Sequence, residues 1–326
     1  MSQLIGALKT YHEDFLVEEI FDFDLTGEGE HIWLFIEKNG LNTKDIIRAL
    51  SQYTGLKQRD IGYSGLKDKH AITRQWFSLY YPGKADIDFS EFDVENCNIL
   101  RISRHNKKLK IGSHKANRFT LVLRDLTSPF AEIEPKIKHI MQNGFINFFG
   151  EQRFGHDNLQ QAHDVIDGKI KLNPKDHGFL LSVMRSFLFN AYVQFRQQNH
   201  TDQIALIGDI VGFSDGNSVF QVTMENQGEI QQRIESKELS IAAPLIGKQQ
   251  KLFFSSEALS QYEQFTQTHG KFIDYLAAHS EMQFRSIYAY PDTLKYDYNE
   301  TDNTLMLTFS LGTGAYATSL VQALSA

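Results

Sequence analysis

One segment concentrates the side chains best suited to chemistry: Gly65-Leu66-Lys67-Asp68-Lys69-His70-Ala71-Ile72-Thr73-Arg74-Gln75-Trp76. It is a polar loop between the short apolar run Ile61–Ser64 and the longer run Trp76–Tyr81, both of which read as strands. Loops held by a rigid sheet are where reactive groups commonly sit. Asp68 lies between Lys67 and Lys69, and nearby opposite charge favours the ionised carboxylate, so Asp68 is expected as an anion at neutral pH. An anionic carboxylate can attack as a nucleophile or stabilise an oxocarbenium ion, two roles familiar from sugar chemistry. The same residues also fit a solvent-facing turn of alternating charge, and the segment by itself does not choose. His70 adds a metal ligand or general base as an option, which a lone histidine supports weakly.

A second feature is a basic window. Between Arg101 and Arg118 stand Arg101, Arg104, Lys107, Lys108, Lys110, Lys115 and Arg118, with His105 and His114 and no acidic residue. The whole chain carries a net charge of -7, which alone argues against a nucleic-acid partner. Screening limits electrostatic reach to roughly 8–10 Å, so the local sign matters more to a polyanion than the total. The window is therefore either a phosphate-gripping stretch or a solvated basic strand and turn. It ends in Asn117-Arg118-Phe119. A nucleobase could stack on Phe119 for about 1–3 kcal/mol; the alternative is an ordinary core position on a strand.

The elements that must position these residues follow from periodicity. Phe15–Ile20 and His31–Ile36 pattern as strands, joined by the Gly-bearing turn Leu25–Glu30. Asn42 or Thr43 caps a helix running to about Tyr53, with Ile46, Ile47 and Leu50 on one face and Gly55 just beyond. Further strands are expected at Asn98–Ile102 and Phe119–Leu123, and a helix at Ala131–Met141. From Gly155 to about Ser286 the texture is helical, with long helices at Phe179–Gln197 and Glu257–His279. Alternation returns at Ile287–Tyr290 and Thr304–Phe309. The order reads as one β-rich domain, residues 1–154 and 287–326, interrupted by a mainly helical insertion, 155–286.

Five blocks now resemble, in order, the motifs of the tRNA pseudouridine synthase D family. Gly65–Gln75 resembles the signature whose aspartate is catalytic, which places that role on Asp68. Glu13-Asp14-Phe15-Leu16-Val17-Glu18-Glu19 is similar to the N-terminal block, with Lys9 at the place of a basic active-site residue. Asn117-Arg118-Phe119 resembles the Asn-x-Phe element, in which Phe replaces a Tyr used by other pseudouridine synthases. Phe148–Gly155 and Gly314–Thr318 resemble the two remaining blocks. The sequence departs from the usual pattern at His12, Gly312, Ala315, Gln322 and Ala323. The resemblance covers nearly the whole chain. It implies an α/β (α+β) catalytic domain on a mixed, largely antiparallel sheet, plus the inserted family-specific domain. It also implies conversion of uridine 13 in the D arm of tRNA, with no cofactor and no metal. Lys9, Asn117, Phe119, Lys67 and Lys69 are then expected at the substrate, and the basic window on phosphates.

Composition is compatible with that. The chain has 326 residues, 41% hydrophobic and 22% charged, long enough for two cores. No uninterrupted apolar stretch approaches 18 residues, so no membrane span is expected, and the N-terminus does not read as a secretion signal. Cys97 is the single cysteine, which excludes an internal disulfide and suits a reducing cytoplasm. The expected partner is tRNA, the expected state a monomer. A noncatalytic RNA-binding module would need the basic window but not Asp68; a metal-dependent hydrolase would need further carboxylates or histidines around the loop.

Overall fold

In the computed structural model the described residues are 5–83, 85–150, 153–155, 157–171, 173–214 and 218–325. The chain divides into two compact units. Of the described residues, the first holds those up to Pro135 together with Pro291–Thr313; the second holds Lys136–Tyr290 and those from Gly314 on.

The first unit is built on a nine-stranded sheet. Its strands are β1 (Ala7–Leu8), β2 (Phe15–Ile20), β3 (His31–Asn39), β4 (Ile61–Tyr63), β5 (Ile72–Tyr80), β6 (Cys97–His105) and β7 (Ala116–Arg124), with β14 (Asp292–Asn299) and β15 (Thr304–Gly312). The order is β14-β15-β7-β2-β5-β3-β6, with β1 added on β7 and β4 on β5. Only the β2–β5 pairing is parallel, so the sheet is mixed and largely antiparallel, as expected. Thr304–Phe309 does return to it, since β15 pairs with β7 in the register Phe309↔Phe119.

Side chains alternate between the faces of a strand. In β2, Phe15, Val17 and Glu19 are buried, while Leu16, Glu18 and Ile20 are half-exposed. Helix α1 (Thr43–Thr54) forms where Asn42 and Asp45 make a reciprocal capping box and Gly55, at φ 71°, takes the left-handed exit. Its Ile46, Ile47 and Leu50 pack with Ile32, Leu34, Ile36, Phe77 and Leu79 of the sheet. Helix α2 (Phe130–Asn143) begins in this unit, where Phe130 stacks on Tyr298 at 4.3 Å.

The second unit carries α3 (Asn158–Ile166), α4 (Pro174–Gln198), α5 (Gln227–Glu235), α6 (Ser256–Thr266), α7 (Gly270–His279) and α8 (Ala317–Ser325). Helix predominates, but a four-stranded antiparallel sheet of β9 (Ile210–Phe213), β10 (Val219–Gln221), β11 (Leu239–Leu245) and β12 (Gln283–Ser286) runs through it in the order β10-β9-β11-β12. The mainly helical reading of 155–286 placed no strand here and missed this sheet. Central β11 is buried on both faces, so it shows no alternation to read. The expected helix Glu257–His279 is two helices, α6 and α7. A small pair, β8 (Phe145–Ile146) and β13 (Tyr288–Ala289), completes the unit.

The division also falls elsewhere than the sequence boundaries 154/155 and 286/287. It cuts α2 after Pro135, and it returns to the first unit at Pro291. Residues 314–326, expected in the β-rich domain, cluster with the second unit. Leu320, Val321 and Leu324 of α8 are buried, the helix packs against β8, and Ser319 Oγ donates to the Phe148 carbonyl at 2.5 Å.

Candidate active site

The Asp68 loop is fixed from beneath by polar groups rather than by apolar packing. The Lys67 amide donates to Thr43 Oγ1 at 3.0 Å. Thr43 in turn donates to Gln75 Oε1 at 2.9 Å, and Gln75 Nε2 donates to the Gly65 carbonyl at 3.1 Å. Lys38, fully buried on β3, donates from Nζ to the carbonyls of Leu41 (2.6 Å) and Asp68 (3.0 Å). Burial pushes the Lys38 ammonium down to about 8, against the attraction of Asp68. These bonds tie the start of α1, β3 and β5 to one short loop and hold the Asp68 backbone still.

The Asp68 side chain stands up from this platform. It is 60% exposed, and Lys9 Nζ lies 2.7 Å from its Oδ2. Lys9 itself is only 17% exposed; its Nζ sits 4.1 Å from the centre of the Phe15 ring. Lys9 also has φ 62°, a left-handed backbone that a side chain adopts at a cost of about 1–3 kcal/mol. Strain of that kind persists only where the surrounding structure holds it, and here it aims a cation at the exposed carboxylate. Lys9, expected from the family motif as a basic active-site residue, thus pairs with Asp68.

Lys67 points the other way. Its side chain is 7% exposed, with Nζ 2.8 Å from Glu19 Oε1 and 2.9 Å from Asn117 Oδ1. Glu19, wholly buried, also accepts the Trp76 amide at 3.1 Å; burial raises its carboxyl above the usual range, and Lys67 pulls it back only in part. Asn117 Nδ2 lies 3.1 Å from His114 Nε2, and His114 Nδ1 is 2.5 Å from Ser64 Oγ. Burial, helped by Lys67, pushes His114 down to about 4, so the ring is neutral at pH 7. Nε2 then accepts from the Asn117 amide, and Nδ1 carries the proton donated to Ser64, a tautomer assigned by the network. Asn117 is thereby held in one orientation, Oδ1 toward Lys67 and Nδ2 toward His114.

Phe119 follows Asn117 on the same face. It is 8% exposed, stacked on Phe309 with centroids 5.5 Å apart and edge-on to Phe15 at 6.3 Å. It is largely buried, and its neighbour Phe15 carries Lys9 Nζ over its ring. Lys69 is exposed, with no ion-pair partner among the described residues. His70 is exposed beside His12, ring centroids 5.9 Å apart. Among the described residues no group of three or more His, Cys, Asp or Glu is placed to hold a metal ion.

The basic window does not form one stripe. Arg104 is engaged by Asp86 at 2.7 Å and by the carbonyls of Tyr81 and Gly29, with its side chain 15% exposed; it has little left to offer a phosphate. Arg118 lies on the sheet face opposite Asn117 and Phe119, 3.5 Å from Glu18, which also binds Arg74. Arg101 is exposed, 6.0 Å from the Trp76 ring centre. Lys107, Lys108, Lys110 and Lys115 are exposed. Lys108 Nζ reaches the Arg59 carbonyl at 2.5 Å. The residues sequence reasoning missed are Glu19, Lys38, Thr43, Gln75 and His114. Parity was the available signal for two of them: Glu19 continues the buried series Phe15, Val17, and Lys38 the series Ile32, Leu34, Ile36.

In the second unit, Gly314–Thr318 precedes and opens α8. The block Phe148–Gly155 is seen in part, Glu151 and Gln152 lying outside the described residues. Phe149 N donates to Asn190 Oδ1 at 2.9 Å, and Asn190 returns a bond to the Phe149 carbonyl at 2.9 Å.

Comparison with known proteins agrees with these blocks. The family model described as tRNA pseudouridine synthase D (TruD) matches residues 1–170 and 157–324. The chain is 37% identical over 330 residues to tRNA pseudouridine synthase D of Proteus mirabilis, covering 98% of this chain and 91% of that protein. It is 34% identical over 325 residues to the protein of that name from Pseudoalteromonas atlantica, covering 97% and 91%. The crystal structure of a putative tRNA pseudouridine synthase D from Methanosarcina mazei superposes with a TM-score of 0.72 at 20% identity, over 99% of this chain and 94% of that one, a likeness of fold. The chain belongs to the tRNA pseudouridine synthase D family.

Proposed function

We propose that this protein isomerises uridine to pseudouridine in tRNA, at position 13 of the D arm, with Asp68 as its catalytic carboxylate. The observation that carries the assignment to Asp68 is the loop geometry: an exposed carboxylate on a pinned backbone, ion-paired at 2.7 Å to a strained, mostly buried lysine. The reaction breaks the N1–C1′ bond, turns the uracil and joins C5 to C1′; the C5 proton is lost and N1 gains one. Asp68 assists departure of the base by attacking C1′ or by taking a sugar proton. Lys9, 2.7 Å from Oδ2, orients the carboxylate for either role. The target base is extruded from its stack at a cost of a few kcal/mol. Asn117, oriented by Lys67 and His114, hydrogen-bonds the uracil edge, and Phe119 supplies a stacking face.

The cations Arg101, Lys107, Lys108, Lys110 and Lys115 contact phosphates, which position RNA without reading sequence. Lys69 joins them beside Asp68. The first unit is the catalytic domain and the second the family-specific one. The enzyme works in the cytoplasm as a monomer, without cofactor or metal. Among the described residues no helix is long and apolar enough to cross a membrane. The test is Asp68→Asn. It should fold and bind tRNA yet form no pseudouridine, because an amide is neither nucleophile nor base. Turnover by the purified variant within tenfold of wild type refutes the assignment.

A further inference from the structure

Outside the Asp68 site, three arginines of the second unit have no counter-charge among the described residues. Arg153, Arg185 and Arg285 are half-buried, and none has a carboxylate partner among the described residues. Of the other arginines only Arg101 shares that condition; the rest pair with Asp or Glu. Among the described residues, each of the three also leaves its buried Nε without a hydrogen-bond partner. A buried donor left unsatisfied is costly, and more so when it is charged. Water could fill the donor but not neutralise the charge.

The three are strung along one face of α4. Arg153 donates to Ser182 Oγ. Arg185, one turn on, donates to Gln283 Oε1 at 3.2 Å and to the carbonyls of Leu245 and Glu281. Arg285, two residues beyond Gln283 and so on the same face of β12, lies 5.2 Å from the ring centre of Phe189, a further turn along α4. It also stacks on Phe149 at 4.1 Å and Tyr316 at 4.9 Å and donates to Asn147. From Ser182 to Phe189 the helix rises about 10 Å at 1.5 Å per residue. Burial pushes the Arg285 guanidinium down to about 10, and Arg153 is close enough to repel it further. A guanidinium that lacks a carboxylate partner matches an oxyanion in charge and in fork geometry.

We propose that Arg153, Arg185 and Arg285 form an oxyanion site that takes consecutive backbone phosphates of the RNA substrate. The choice of RNA as the source rests on the function proposed above; a strip of about 10 Å is long enough for consecutive phosphates at roughly 3.4 Å rise each. The test uses the full chain in two arms. In the first, inorganic phosphate should raise the melting temperature of wild type beyond chloride at equal ionic strength, and Arg153→Gln/Arg185→Gln should abolish the difference. In the second, tRNA titrations across salt should show the log–log slope of the double variant reduced by about 1.4–1.8, two contacts at about 0.7–0.9 each, with Kd weakened about tenfold or more per contact. Where the pair fails to fold, Arg153→Gln alone should lose about 0.7–0.9. An unchanged slope in a folded variant overturns the RNA assignment, and phosphate stabilisation that survives in the variant overturns the site. Pseudouridine formation by the same wild-type preparation is scored separately, so loss of the activity assignment would show there and leave the phosphate arm standing.

Discussion

Replacing Lys67 by Met separates a residue that touches substrate from one that holds the site together. Its ammonium faces Glu19 at 2.8 Å, with side chains 7% and 0% exposed. Removing one partner of a buried pair strands the other charge and costs about 3–5 kcal/mol. At about 2–4 °C per kcal/mol for a unit of this size class, the melting temperature should fall by roughly 6–20 °C. Glu19→Gln in the Lys67→Met background should recover most of that loss, because the amide needs no counter-charge and keeps an acceptor for the Trp76 amide. The pH dependence follows from Glu19. Burial raises its carboxyl, so the folded state holds the proton more tightly than the unfolded one. Its contribution to stability is therefore greatest below the unfolded value of 4.5 and is lost as pH rises through the raised one. Without Lys67 the folded value climbs further, so the deficit of Lys67→Met should shrink as pH falls from 8 to about 5. Denaturant melts at the two pH values, for the two singles and the double, complete the cycle. A deficit under about 1 kcal/mol, or one equal at both pH values, would refute the reasoning and return Lys67 to the substrate.

Four further outcomes are expected. Lys38 releases its proton near 8 when folded but near 10.5 when unfolded, so stability should rise with pH across that window in wild type and not in Lys38→Met, as read by melts of both proteins at pH 7.5 and 9.5. Phe119→Ala should lose about 3–5 kcal/mol, having left a cavity between Phe15 and Phe309; Phe119→Tyr should retain turnover per folded molecule where Phe119→Leu does not, and equal turnover would make Phe119 core alone. Changing Lys107, Lys108 and Lys110 together should flatten the salt dependence of tRNA binding by up to about three units of slope, and an unchanged slope makes that turn a solvated face. Arg196 and Asp209, both fully buried and joined by bonds of 2.7 and 2.9 Å, should make Arg196→Met about 3–5 kcal/mol less stable in denaturant, with Arg196→Met/Asp209→Leu recovering much of it.

What could be read without coordinates follows a physical rule. Signals that live within one element were legible: the alternation of Phe15–Ile20, the helix cap at Asn42 or Thr43, and Gly55 past the end of α1 all act over a few residues. Signals that need a partner element were not. Buried β11 reads Leu239-Ser240-Ile241-Ala242-Ala243-Pro244-Leu245, and nothing in it tells a strand buried on both faces from a helix turn. Residues 314–326 look neutral in sequence, and only the burial of Leu320, Val321 and Leu324 shows which core they serve. The candidate site divides the same way. Asp68 was found because its loop is chemically dense. Lys9 came through the family motif, and its left-handed backbone is invisible to residue type. Glu19 and Lys38 are the instructive pair. Each occupies the inward parity of a strand whose other inward residues are apolar, and a charge on an inward position is expensive unless something answers it. For Glu19 the answer is Lys67; for Lys38 it is two carbonyls, one of them that of Asp68. A charged residue in phase with the core therefore marks a place where the fold spends stability to fix a neighbour, and here both marks lead to the same loop.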